Sequence, residues 1–335
     1  MLDHLRLEDR ARRYGAVRLC ADLPLPERDF VREDGGWVLR LPRGVRLARL
    51  EYQLEVVGRD GSKRVMCDPE NPERAPSAFG EKSVLLAPGY RPPDWLGGTR
   101  APARFEEVDL RVLGRALRIR VWSPGEGRLP LLVAHDGPEY DELAALTRYA
   151  AAMIGRRAVA PFRLALLPPG ERNEWYSASA HYGRALGRRI LPALRENVDV
   201  GGRPVGMGAS LGALAMLHAQ RAWPGTFAGL FLQSGSFFVP RFDRHESGFP
   251  RYGRIVRFVR GVLRADAHAD PLPVAMTCGA AEENMENNRL MAAALREQGY
   301  AATLVEVPDL HNYTGWRDAL HPHLTRLLAH AWPAR

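Results

Sequence analysis

Gly208-Ala209-Ser210-Leu211-Gly212 follows the apolar run Pro204-Val205-Gly206-Met207 and precedes a helical pattern from Ala213 to Gln220. The order is strand, sharp turn, helix, with the serine at the turn. Small residues on either side let the backbone turn tightly and lift the hydroxyl above a sheet, beside a helix N-terminus. A serine in this place also reads as a plain helix cap. Its position between two periodic segments favours a nucleophile.

Working outward, Pro273 to Cys278 reads as a buried strand ending in Gly279-Ala280-Ala281-Glu282. Ala302 to Val307 is the next strand and runs into Asp309-Leu310-His311, ahead of a terminal helix from Trp316 to Ala329. A serine hydroxyl attacks at neutral pH only if a base takes its proton, and the imidazole needs a partner to fix its tautomer and stabilise its charged form. Ser210, Glu282 and His311 supply nucleophile, acid and base in that chain order. Glu283, Glu286 and Asp309 are rival acids, and a Ser/His pair without an acid is an alternative.

The chain has 335 residues, 46% hydrophobic and 26% charged, enough for a large core in one large or two unequal domains. Its first residues, Met1 to Gly15, are charged throughout and lack the apolar centre of a signal peptide. No segment approaches the roughly 20 apolar residues of a membrane span, so neither a membrane partner nor a membrane location is expected. Cys20, Cys67 and Cys278 have no metal-ligand spacing and form no disulfide framework; a reduced, cytoplasmic protein without a metal is the expectation. The formal charge of +8 invites a nucleic-acid partner, but Lys63 and Lys82 are the only lysines among 47 basic residues. That arginine bias reads as composition rather than a binding stripe, and no nucleic acid is expected.

Two regions differ in pattern. From Ala16 to about Leu86, short apolar alternations (Val17 to Cys20, Trp37 to Leu41, Leu47 to Val57, Arg64 to Cys67) are divided by turn-forming runs such as Asp34-Gly35-Gly36 and Arg59-Asp60-Gly61. This is an antiparallel β pattern. The Pro/Gly-rich connector Ala87 to Gly98 then marks a boundary, giving a domain over 1–98 and a second over 99–335. In the second, strands at Leu131 to Ala134, Arg163 to Leu167, Pro204 to Met207, Leu230 to Leu232, Val274 to Cys278 and Ala302 to Val307 alternate with helical stretches. Such alternation predicts an α/β fold, a mostly parallel sheet with helices on both faces, preceded by a small all-β, sandwich-like domain.

His135-Asp136-Gly137, Arg172-Asn173-Glu174-Trp175, the Gly208 to Gly212 elbow, Gln233-Ser234-Gly235-Ser236, Gly279-x-x-Glu282, and His311 with Trp316-Arg317 together resemble the enterochelin (trilactone siderophore) esterase branch of the esterase D superfamily. The resemblance covers about Val108 to Leu328. Gly36-Trp37, Tyr52-Gln53-Leu54, Asp60-Gly61 and Asp68 to Pro72 likewise resemble the immunoglobulin-like early-set domain that such esterases carry. The resemblance implies an α/β-hydrolase fold and a serine hydrolase that cleaves carboxylic ester or lactone bonds, among them those of ferric enterobactin, with no cofactor. It also places Arg172 and Glu174 at the rim of the site, as substrate-ordering residues or as an ion pair pinning a loop. Trp175, Tyr176, Tyr313 and Trp316 would be either an aromatic wall for substrate or core anchors.

An oxyanion hole needs two amides aimed at the developing charge. Leu211, just after the nucleophile, supplies one. In related acyl-transferring esterases the other comes from the residue after Asp-Gly, which here is Pro138, without an N–H. Either Gly137 or Glu139 then replaces it, or the hole is weaker than usual. The chain also departs from its relatives in Asp309-Leu310-His311, where they often have Gly-Gly-His, and in Asn312, where aspartate is frequent.

A helical insertion at about 237–271 is expected to carry specificity. In Arg251 to Arg264, Tyr252, Ile255, Val256, Phe258, Val259, Val262 and Leu263 fall on one side, and Arg254, Arg257, Arg260 and Arg264 on the other. The arginine face is either solvated or a positive lid for an anionic or aromatic ester, such as a ferric siderophore. Three functions are compatible with the sequence: a serine esterase on a small-molecule ester, an acyltransferase using the same serine, and a non-catalytic carbohydrate-binding protein.

Overall fold

The computed structural model describes residues 4–42, 47–98 and 104–333. It divides into two compact units. One gathers Met1–Arg91 with two later segments, Gly279–Glu283 and Val307–Gly315; the other holds the rest of the chain. The expected boundary at 98/99 falls at the edge of residues 99–103, outside those described.

The first unit is built of β1 (His4–Glu8), β2 (Tyr14–Cys20), β3 (Val31–Glu33), β4 (Gly36–Arg40), β5 (Arg49–Gly58), β6 (Lys63–Met66), β7 (Arg74–Ser77) and β8 (Gly80–Leu86). These form two sheets, β1-β4-β3 and β2-β5-β8-β7, with β6 paired to β5. Alternate residues face inward, as in a half-buried strand. Leu5 and Leu7, Trp37 and Leu39, Val17 and Leu19, and Leu50, Tyr52 and Leu54 share one core, as in a sandwich. Trp37 belongs to this core and its indole N–H donates to Asp9 Oδ2 at 3.1 Å, so it is no sugar platform.

In the second unit an eight-stranded sheet runs in the order β16-β15-β14-β13-β11-β12-β10-β9. Its strands are β9 (Arg104–Val112), β10 (Arg115–Ser123), β11 (Leu131–Ala134), β12 (Arg163–Leu166), β13 (Val205–Ala209), β14 (Gly229–Gln233), β15 (Pro273–Gly279) and β16 (Ala301–Val307). From β12 to β15 the pairing is parallel. Every residue of β11 to β14 is buried, which is why these strands read as continuous apolar runs. The antiparallel hairpin β9-β10 was not among the expected strands: its alternation is diluted by charged residues, and its turn is made by Leu113 (φ 48°) and Gly114 (φ 83°).

The helices are α1 (Gly137–Ala144), α2 (Leu146–Gly155), α3 (Arg172–Trp175), α4 (Ala180–Ala185), α5 (Leu191–Asn197), α6 (Leu211–Ala222), α7 (Tyr252–Leu263), α8 (Met285–Glu297), α9 (Tyr313–Asp318) and α10 (Thr325–Ala331). They cover the sheet in the α/β-hydrolase manner. The expected single helix from Trp316 to Ala329 is broken instead. His321, at φ −103° and ψ 130°, leaves the helical region because the ring of Pro322 crowds the residue before it. No helix among the described residues is long and apolar enough to cross a membrane.

Candidate active site

Ser210 closes β13 and caps α6 with φ 56° and ψ −124°, a backbone conformation few non-glycine residues adopt. Its neighbours make this possible. A Cβ on Gly208 would strike the backbone of Gly212, and one on Gly212 would lie 3.2 Å from His135 Cβ. The turn is pinned from both ends: Ser210 N–H donates to the Gln233 carbonyl at 2.9 Å, and Ser236 N–H donates to the Ser210 carbonyl at 3.2 Å. Ser210 Oγ lies 3.0 Å from Ser236 Oγ, a partner that sequence reasoning included in a motif without giving it a role. Leu211 opens α6, where an amide has no intrahelical acceptor and points toward incoming negative charge.

His135 supports the elbow from below. It is fully buried, with Nε2 at 2.8 Å from the Tyr182 hydroxyl and Nδ1 at 3.0 Å from the Gly212 carbonyl, and burial lowers its pKa to about 4. A neutral imidazole thus braces the turn at Ser210.

The next residues decide the second oxyanion donor. Gly137 N–H, expected to serve the oxyanion, donates to the Leu167 carbonyl just beyond β12 at 2.9 Å. The contact is close: a Cβ on Gly137 would collide with the Leu166 backbone. With Pro138 lacking a donor, Glu139 carries the first amide beyond it, in the opening turn of α1. This turn is held by Tyr140, whose amide bonds the Asp136 carbonyl at 2.9 Å and whose hydroxyl donates to Gln233 Oε1 at 2.9 Å. Gln233 also reaches Thr277 Oγ1 at 3.1 Å and the Trp316 carbonyl at 3.0 Å.

Arg172 and Glu174 take different partners. Arg172 forks onto Asp136, with Nε 3.0 Å from Oδ1 and Nη2 2.9 Å from Oδ2. Glu174 accepts from Arg251 and, at 2.7 Å, from Arg254 Nη1. Arg254 also donates to the Ser177 carbonyl at 2.6 Å. Arg254 therefore leaves the expected arginine face of α7, which retains the exposed Arg257, Arg260 and Arg264. The two tryptophans are core anchors rather than an open aromatic wall. Trp175 is 3% exposed and stacks on Tyr182 at 5.4 Å. Trp316 is 7% exposed, with its indole N–H donating to Ser234 Oγ at 3.0 Å. Tyr176 is also fully buried.

In the first unit, His311 Nδ1 lies 3.0 Å from Glu282 Oε2. The other carboxylate oxygen, Oε1, accepts the Gly279 amide at 2.8 Å, fixing the carboxylate at the end of β15. Partial burial works to lower the His311 pKa, but the charge and hydrogen bond of Glu282, with Asp22 and Glu283 behind it, raise it above the usual imidazole value. Of the candidate acids, Glu282 bonds the ring. Asp309 instead accepts from Arg49 Nη1 at 3.3 Å, from Asn312 Nδ2 at 2.9 Å and from the Leu310 amide at 2.8 Å. Burial raises its pKa to about 6 against the pull of Arg49. Arg49 had no place in the sequence reading, since nothing in a β strand of a preceding domain signals contact with a loop some 260 residues later.

The esterase family, described as "Putative esterase", matches residues 111–327. The iron(III) enterobactin esterase of Escherichia coli O6:H1 is 23% identical over 314 residues, which span 89% of this chain and 70% of that protein. Among solved structures, the enterobactin esterase of Shigella flexneri, crystallised in the presence of enterobactin, is similar with a TM-score of 0.74 at 19% identity, covering 98% of this chain and 92% of that one. The ferric enterobactin esterase of Salmonella typhimurium gives 0.75 at 18% identity, covering 98% and 93%. The chain belongs to the esterase family and is a carboxylic ester hydrolase.

Proposed function

We propose that Ser210 is the nucleophile, His311 the general base and acid, and Glu282 the carboxylate that orients the imidazole. His311 takes the Ser210 proton as the hydroxyl attacks the ester carbonyl. It then protonates the leaving alcohol, and a second cycle with water releases the acid. The amides of Leu211 and Glu139 serve the oxyanion, with Pro138 silent and Gly137 occupied. Arg172, through Asp136, holds the loop bearing Glu139, and Trp175 and Trp316 support the site from the core.

The substrate reading is a siderophore trilactone or a related aromatic lactone, hydrolysed without cofactor or metal in the cytoplasm. The observation that carries it is the coverage of the likeness to enterobactin esterases, which takes in the N-terminal β unit as well as the hydrolase unit. Residues 1–98 are assigned to that N-terminal domain and connector, and 99–335 to the catalytic domain. The insertion at about 237–271 is assigned to specificity, with Arg257, Arg260 and Arg264 offering positive charge to an anionic ligand. A hydrolysis panel of p-nitrophenyl esters, aryl esters and trilactone siderophores, run on wild type and Ser210→Ala, tests this. Trilactones should give the highest kcat/KM, and this should fall with rising salt for anionic but not neutral esters. Equal rates on all three classes would overturn the substrate reading and leave the esterase intact.

A further inference from the structure

The β strand that begins at Arg49 does more than complete a sandwich. Ala48, just ahead of it, donates its amide to the Pro308 carbonyl at 2.7 Å, and Leu310 packs into the N-terminal core beside Leu50 and Tyr52. Arg49 itself is 2% exposed, and its Nη1 donates to Asp309 Oδ2 at 3.3 Å and to Asn312 Oδ1 at 3.1 Å. Its other nitrogen, Nη2, bonds Glu51 Oε1. Asp309 and Asn312 bracket Leu310-His311 in the chain, and they bond each other at 2.9 Å. Asn312 Oδ1 further accepts the Gly315 amide at 2.8 Å, tying the bracket to the start of α9.

We infer that Arg49 is a positioning residue for ester hydrolysis, holding the His311 loop in its working conformation through Asp309 and Asn312. The inference rests on the reading of His311 as the base. The chemistry suits the task. A guanidinium offers rigid, divergent donors that set two acceptors at a fixed separation, which a single flexible ammonium does not do. A buried ion pair adds little net stability, since desolvation offsets the attraction, and its best-supported use is to specify one arrangement among several. The loop needs such specification. Within it, tight backbone bonds run from Asp309 to Val307 and from Asn312 to Leu310. The strand that begins at Arg49 is then a brace for the His311 loop, and an esterase without this strand would need another.

The test compares kcat, KM, pH profile and thermal unfolding for Arg49→Gln, Arg49→Lys, Asn312→Ala and the double variant Arg49→Gln/Asn312→Ala, using a short p-nitrophenyl ester. A base displaced by an ångström costs on the order of a hundredfold in rate. Arg49→Gln and Asn312→Ala should each lower kcat by about ten- to a hundredfold with KM within about threefold. The acid limb of kcat/KM should move to lower pH as the imidazole drifts from Glu282. The double variant should be no slower than the worse single, because both cut the same chain of contacts. Arg49→Lys should recover part of the rate. If Arg49→Gln does not fold, Asn312→Ala carries the test alone. A folded Asn312→Ala with wild-type kcat and pH profile would overturn the inference, as would fully additive losses in the double variant. His311→Ala separates the two readings. If it keeps wild-type kcat, the base assignment itself fails. If it is inactive while Asn312→Ala is fully active, only the positioning role fails.

Discussion

Ser210 stands on a strand, turn and helix that follow one another from Val205 to Ala222, whereas the loop that carries His311 is held by Arg49 from a strand near the other end of the sequence. The elbow is enforced by local sterics: a side chain at Gly208 would strike the backbone of Gly212, and one at Gly212 would press on His135. The histidine loop is enforced by charge and hydrogen bonds among residues that meet only in the fold. A local device tolerates change elsewhere, and a non-local one is exposed to substitutions far from the chemistry.

The strongest break in this comparison is removal of either end of the proposed proton relay. Ser210→Ala and His311→Ala should each reduce kcat by about a thousandfold or more and leave the circular dichroism spectrum unchanged, because members of one catalytic unit fail together. Wild-type hydrolysis by the serine variant would refute the mechanism.

Glu282→Gln should lose about a hundred- to ten-thousandfold in kcat, as when an orienting carboxylate is made neutral. Its pH profile sharpens the comparison. The carboxylate raises the His311 pKa, so wild-type kcat/KM should fall on acidification from a midpoint above the ordinary imidazole value, and in the variant that midpoint should drop. An unmoved acid limb would point to another acid.

The two regions should respond to acid with opposite sign. His135 beneath the elbow has a folded pKa of about 4 against 6.5 for the free side chain, so the unfolded chain binds the extra proton and stability is lost as pH falls from 6.5 toward 4. Asp309 in the histidine loop has a folded pKa of about 6 against 3.8, so the folded chain binds the proton and stability is gained over the same fall. Asp309→Asn removes the gain, and urea midpoints should then decline more steeply with acid, by up to about 1.4 kcal/mol per pH unit. Parallel declines in wild type and variant would contradict these assignments.

Smaller still is the contrast within α7. Arg254→Gln strips Glu174 of a partner and the Ser177 carbonyl of a donor, and should cost about 1–2 kcal/mol of unfolding free energy. Arg257→Gln, on the exposed side, should stay within about 0.5 kcal/mol. The smallest effect is expected at Pro138. If the Glu139 amide serves the oxyanion as proposed, Pro138→Ala adds a donor the oxyanion does not use, and kcat should change by less than about threefold. A rise of tenfold or more would show that the hole lacks its second donor.

The elbow, the parallel strands β11 to β15 and the ends of β15 and β16 that carry Glu282 and His311 were all legible in the sequence, because each is marked by residues adjacent in the chain. Apolar runs mark strands buried on both faces, and flanking glycines mark the turn. The hairpin β9-β10 was hidden by charges on its outer face, and the break before α10 by a proline set inside a convincing helical pattern. The Glu282 partner of His311 was anticipated by chain order, but other partners were decided by tertiary structure. Arg172 took Asp136, the Gly137 amide was taken by Leu167, and Asp309 turned to Arg49. Backbone conformation follows from short-range sterics that a local stretch of sequence contains. Ion pairs and amide acceptors follow from which groups are buried side by side, and distance along the chain carries no record of that.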